Sequence, residues 1–197
     1  MEKNEQLDAI RKHVQSIFSA DVTGHDAAHM MRVANLAKEI GHCEEADVFI
    51  TEAAALLHDI GDKKLFSDPD KAIKETEHFL SGIGISNNTI KNLKHIIMDV
   101  SFSKGSIPTS LEGKIVQDAD RIDAIGAIGI ARTFAYGGAN GQPIHHQQSD
   151  TTSIQHFYDK LLKLKDTLHT PKAKEMATER HQFLLTFLEQ FWHEWQT

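Results

Sequence analysis

The sequence predicts an all-α, single-domain helical bundle, and three observations carry that prediction. Apolar residues recur at three- and four-residue steps through most of the chain. No segment shows sustained period-two alternation or an Asn-Gly hairpin between β-branched runs. The only prolines, Pro69, Pro108, Pro143 and Pro171, fall in stretches that already read as breaks. The first helix is expected over 5–18. The next, from Asp26 to Ile40, places Met30, Val33, Ala34, Ala37 and Ile40 on one face, and Gly41 offers a stop. Ala46, Ile50, Ala53, Ala54 and Leu57 repeat the pattern up to Gly61. Further helices are expected at 71–81, 87–99, 111–135, 153–167 and 172–195. The run from Ala124 to Ala131 is apolar on almost every face, so the 111–135 helix is expected to be buried all round.

Two polar stretches with Gly and Pro, 101–110 and 136–150, read as loops. The aromatic C-terminus, FLEQFWHEW, is expected to pack on the body, with a homodimer contact as the alternative. A chain of 197 residues suits one domain, and it buries enough surface to fold without a metal or disulfide. Within residues 1–197 a functional core is expected at about 20–135, followed by C-terminal helices at about 153–195. The lone Cys43 excludes an internal disulfide. The start, MEKNEQLDAIRKH, has no apolar core of a secretory signal. No apolar run approaches the ~20 residues of a membrane span. A net charge of −7 disfavours nucleic acid and anionic membranes as partners. A soluble, cytoplasmic, globular protein is the expectation.

Thirteen histidines direct attention to metal chemistry. His58 extends the buried stripe of its helix four residues after Ala54, and Asp59 follows at the helix end, where a carboxylate favours a nearby cation. His29 lies four residues before Val33, with Asp26 at i−3 as a candidate to orient its ring. Asp118, Asp120 and Asp123 crowd the entrance to an apolar run, where carboxylates are costly unless paired or metal-bound. Arg121 could pair with Asp118 or Asp123. Two histidines with two aspartates suit Mn²⁺, Mg²⁺, Fe²⁺, Co²⁺, Ni²⁺ or Zn²⁺ with coordination positions left open. One cysteine rules out a thiolate structural zinc site.

GHDAAHMMRV (24–33), ALLHDIGDKK (55–64) and VQDADRIDAIGAIG (116–129), in that order, resemble the H…HD…D signature of the HD-domain metal-dependent phosphohydrolase superfamily. The flanking stretches SFSKG, FAYGG and FLEQFWHEW are similar to the small bacterial YedJ/YpgQ-type members. The resemblance implies His29, His58, Asp59 and Asp120 as ligands of one divalent ion, manganese first. Periodicity alone places Asp118 nearer the apolar face, which keeps Asp118 as the alternative. His78 and His95 fall in the interval where two-metal relatives carry paired histidines, but without that pairing. His42, Cys43, His145 and His146 are expected to be solvated. The resemblance further implies that Asp62 orients the attacking water, and Lys63, Lys64, Lys104 and Arg121 are the cations nearest the motif for phosphate binding. The implied reaction is hydrolysis of (deoxy)nucleoside triphosphates to monophosphate and pyrophosphate. The alternatives are nucleotidase or phosphodiesterase activity, or a non-catalytic sensing module.

Overall fold

Asp26, Asp47, Asp68, Ser110 and Thr152 each open a helix by accepting the backbone N–H three residues further on. The computed structural model describes residues 1–19, 26–100 and 107–196, and these contain nine α-helices and no strand. The helices are α1 (Lys3–Phe18), α2 (Ala27–Cys43), α3 (Val48–Leu57), α4 (Pro69–Gly82) and α5 (Asn87–Val100). They continue with α6 (Leu111–Asp123), α7 (Gly126–Ala139), α8 (Ser153–Asp159) and α9 (Pro171–Trp195); a 3-10 segment, Leu161–Thr167, lies between α8 and α9. The described helices pack together as one bundle.

The centre of the bundle is α3. Every residue from Phe49 to Leu57 is buried, enclosed by α1, α2, α5 and α6. A helix this apolar on all sides is stable only where neighbours cover every face. The long α9 lies across α6, α7 and the 3-10 segment.

Two expected helices are broken. The one expected over 111–135 stops at Asp123, and Gly126 takes φ +77° where α7 begins. A side chain there would be strained, and its Cβ would lie 3.1 Å from Cγ of Arg180. The apolar run is therefore not buried all round: Ile128 on α7 is 43% exposed. The helix expected over 153–167 ends at Asp159, because Lys160 leaves helical geometry (φ −132°, ψ −59°) and the chain continues as 3-10 turns.

The C-terminal aromatics pack on the body as expected. Phe187 stacks on Phe157 at 5.5 Å, and Trp192 donates to the Tyr158 hydroxyl at 2.7 Å. His145 is a correction: its ring meets the edges of Trp192 and Trp195 rather than standing in solvent. No helix among the described residues is long and apolar enough to cross a membrane.

Candidate metal centre

His29, on the inward face of α2, is completely buried, and its Nδ1 lies 2.8 Å from Oδ2 of Asp123. A carboxylate there accepts, so Nδ1 carries the proton and Nε2 presents its lone pair on the opposite side. His58 stands where α3 ends, and its Nδ1 donates to the Ala55 carbonyl at 2.8 Å. A carbonyl can only accept, which fixes the same tautomer. Two imidazoles are thus held from behind with Nε2 facing forward. Their rings meet edge to face, centroids 5.3 Å apart.

Two carboxylates face these nitrogens. The Asp59 oxygens lie 3.7 Å from His29 Nε2 and 3.5 Å from His58 Nε2. Oδ1 of Asp120 lies 3.5 Å and 3.8 Å from the same two atoms. Ligands about 2.1 Å from one ion sit roughly 3.0 to 3.4 Å apart, depending on geometry. The observed separations therefore need only a small contraction to enclose a cation. Ligand atoms of His29, His58 and Asp120 all lie within 4.8 Å of one another. Nε2 of His58 is buried and makes no hydrogen bond among the described residues, as a nitrogen awaiting an ion would. The imidazoles are sealed, while the side chains of Asp59 and Asp120 are 14% and 30% exposed, so the centre opens on its carboxylate side.

Electrostatics distinguish the two histidines. Burial pushes the His29 pKa down and outweighs the opposing Asp123 and Asp120. Burial also lowers His58, but Asp59 and Asp120 outweigh it and carry its pKa up to about 9. Without an ion, a proton on His58 is the cation that offsets the carboxylates. Burial would raise Asp120, yet the histidines and Arg132 hold it well below the usual carboxylate range. Loading a divalent ion near neutral pH should therefore expel close to one proton, from His58. Calorimetry in buffers of different ionisation enthalpy should register that release. Apparent affinity should rise roughly tenfold per pH unit until about pH 9, as the competing proton leaves His58.

The structure separates Asp118 from Asp120. Asp118 is fully buried and accepts from the N–H of His169 (2.9 Å), the N–H of Thr170 (2.8 Å) and the Thr170 hydroxyl (2.8 Å). It pins the start of α9 to α6. Asp120, two residues on, faces the histidines. Asp118→Ala should cost about 2–4 kcal/mol, since it orphans two backbone donors. Thermal unfolding should show that loss, while affinity for Mn²⁺ stays within about threefold.

Other expected residues are placed as follows. Asp26 does not orient the His29 ring; as the cap of α2 its side chain is engaged by the His29 backbone N–H at 2.7 Å. Asp62 sits in a run of turns, not one helical turn beyond Asp59, and its Oδ1 accepts from the Lys64 N–H at 2.7 Å. Lys63 and Lys64 are exposed. Nη1 of Arg121 donates to the Thr167 carbonyl at 2.5 Å and contacts His169 Nε2 at 3.1 Å, tying the 3-10 segment to α6. Asp123 takes Arg32 and Arg132 as partners instead. His78 and His95 are exposed and stand outside the cluster. Lys104 lies outside the described residues.

Sequence reasoning singled out Asp123 as a carboxylate in need of a partner, but found neither its place behind the centre nor the part played by Arg32, Arg132 and Lys160. Asp123 is 1% exposed and receives His29 Nδ1, Arg32 Nε at 2.8 Å and Arg132 Nη1 at 2.9 Å. Half-buried Lys160, at the end of α8, has Asp120, Lys64, Arg132 and Arg121 as charged neighbours.

The family described as HD domain matches residues 26–125. Over 194 residues the chain is 44% identical to YpgQ of Bacillus subtilis, itself described as uncharacterised, spanning 96% of this chain and 94% of that one. The crystal structure of Bacillus subtilis YpgQ in complex with ADP superposes with a TM-score of 0.88 at 43% identity, covering 98% of this chain and 97% of that one. An HD-superfamily hydrolase from Bacillus thuringiensis gives 0.83 at 40% identity, covering 99% of each chain.

Proposed function

The chain belongs to the HD-domain family of hydrolases, and from that premise we propose that it hydrolyses (deoxy)nucleoside triphosphates to monophosphate and pyrophosphate. The observation that carries the reading is the pair of buried histidines. Each has Nδ1 engaged from behind and Nε2 facing two carboxylates at 3.5–3.8 Å. His29, His58, Asp59 and Asp120 would hold one divalent ion, manganese first in this mixed nitrogen and oxygen set. Such an ion lowers the pKa of a water to near neutrality and polarises a phosphoryl oxygen.

The chain's own residues supply the rest. Asp123 and the Ala55 carbonyl hold the two imidazoles from behind, so neither ring has to reorient to present Nε2 to the centre. The solvent-facing carboxylate side is where substrate arrives. Asp62, held in its turn by Lys64 N–H, is the carboxylate that orients the attacking water. Lys63 and Lys64 meet the phosphates from the loop that follows the His-Asp pair, and Lys104 is assigned the same task. The ADP held by the related YpgQ supports a nucleotide as ligand here.

Isotope labelling tests the reading. In H₂¹⁸O, with Mn²⁺ and a deoxynucleoside triphosphate, attack at the α-phosphorus should place the label in the monophosphate. Label in inorganic phosphate would move the cleaved bond to the γ-position. Binding without turnover across a panel of triphosphates, monophosphates and cyclic nucleotides would point instead to a sensing module.

A further inference from the structure

α3 carries one charge, Glu52, in the middle of its otherwise uncharged length, and the metal centre makes no use of it. Six residues separate it from His58, about 9 Å along the helix axis, so it belongs to the opposite end of α3. The Glu52 side chain is 2% exposed. Arg11 of α1 donates to its Oε1 and also holds Asp8 at 2.6 Å. Oε2 is buried as well and accepts no hydrogen bond among the described residues. Nζ of Lys38, on α2, stands 3.6 Å from it, close enough for an ion pair but too far for a hydrogen bond. A buried carboxylate oxygen without a donor is costly, and a bound ligand can supply one.

Glu52 lines a cavity of about 740 Å³ between α1, α2 and α3, together with Lys3, Leu7, Arg11, Lys38 and Phe49. The Lys3 ammonium lies 5.1 Å from the centre of the Phe49 ring. Small-molecule sites have volumes of roughly 300–1,000 Å³. Around the carboxylate the charges balance, Arg11 and Lys38 against Glu52 and Asp8. A ligand of either net charge would upset that balance, whereas a zwitterion preserves it.

Spacing narrows the class. An ammonium on Oε2 and an anion on Lys38 Nζ would each sit about 2.8 Å from its partner. With only 3.6 Å between Oε2 and Nζ, the ligand's own two charges must also lie close together. The nitrogen and carboxylate oxygen of an α-amino acid are roughly 3 Å apart, which closes the four-cornered arrangement. The base amino group and phosphates of a nucleotide are too widely separated to do so.

We propose that this cavity binds a free α-amino acid, its ammonium on Glu52, its carboxylate on Lys38 and its side chain toward Leu7 and Phe49. The site is separate from the metal centre and stands whether or not that centre hydrolyses nucleotides.

Titration calorimetry of the full chain with the proteinogenic amino acids tests the proposal. It is run with and without Mn²⁺, because an amino acid also ligates metal ions. At least one should bind at millimolar concentration or below, equally in both conditions. Its N-acetyl derivative and its methyl ester each lack one of the two charges. Each should bind about tenfold more weakly or worse, as expected for one lost charge-assisted contact. Lys38→Met should cause the same loss, and a side chain 48% exposed can be replaced without unfolding the protein. Glu52→Gln keeps the shape, removes the charge and should weaken binding at least as much. Should that buried variant fail to fold, the two derivatives and Lys38→Met still decide. No binding by any amino acid, binding only with Mn²⁺, or affinity unchanged by the derivatives or by Lys38→Met would each overturn the proposal.

Discussion

A His58→Ala/Asp59→Ala double variant is expected to lose metal-dependent turnover by about a thousandfold or more. Charge stabilisation by a bound ion is worth several kcal/mol in the transition state, and about 4 kcal/mol corresponds to roughly three powers of ten. Both residues leave the end of α3 together, at the turn closed by Gly61 with φ +86°, so one change removes a nitrogen and a carboxylate facing the centre. Nothing else in the cluster can replace His58 Nε2, because His29 already occupies the only other inward imidazole position among the described residues. Far-UV circular dichroism should stay helical, since α3 is buried by its apolar residues 53–57 rather than by the pair. Steady-state turnover with saturating Mn²⁺, alongside direct titration of Mn²⁺, checks the claim. A variant that keeps wild-type turnover would remove the centre from the reaction.

A large effect on both stability and metal affinity should come from Asp123→Asn. This carboxylate receives two nitrogens of Arg32, at 2.8 and 3.1 Å, one of Arg132 and one of His29. Removing its charge leaves two arginines without their counter-ion, and breaking such a buried set costs about 3–5 kcal/mol. The low end applies here, because the Arg32 side chain is 33% exposed. For a chain of this size that is a fall in Tm of roughly 6–12 °C. Metal affinity should drop about 10- to 100-fold in the same variant, as His29 loses the partner that aims it. The pH dependence has a definite sign. Burial would raise Asp123, but His29, Arg32 and Arg132 hold its pKa at about 2, below the value near 4 of an unfolded chain. Its contribution is therefore complete above about pH 4 and is lost as pH falls from there towards 2. Acid titration of Tm should show that component in the wild type and not in Asp123→Asn.

Much of the bundle was legible because the periodicity of α2, α3 and α5 is local information. The break after Asp123 was not. Ala-Ile-Gly-Ala-Ile-Gly keeps its apolar pattern across the corner, and what makes the corner is Gly126 in left-handed backbone against Arg180, 54 residues away in sequence. His29, His58 and Asp59 could be picked out as candidates from helical stripes and a helix end. Periodicity was right that Asp118 faces the interior, where it is fully buried against His169 and Thr170. It could not say that Asp120, pointing the other way, faces the histidines; the family resemblance supplied that. Asp26 misled because its i−3 spacing serves a helix cap as readily as a ring contact, and the cap is what formed. Asp123, Arg32, Arg132 and Lys160 meet only through the packing of α2, α6, α7 and α8, so no local pattern announces them.

The measurement that bears most directly on the central claim is ³¹P NMR of a deoxynucleoside triphosphate incubated with three samples. These are the Mn²⁺-loaded protein, the metal-stripped protein and the loaded His58→Ala/Asp59→Ala variant. A metal-dependent phosphohydrolase at this centre predicts monophosphate and pyrophosphate in equal amounts from the first sample and unchanged triphosphate from the other two. Equal turnover in all three, or intact triphosphate in the first, would contradict it.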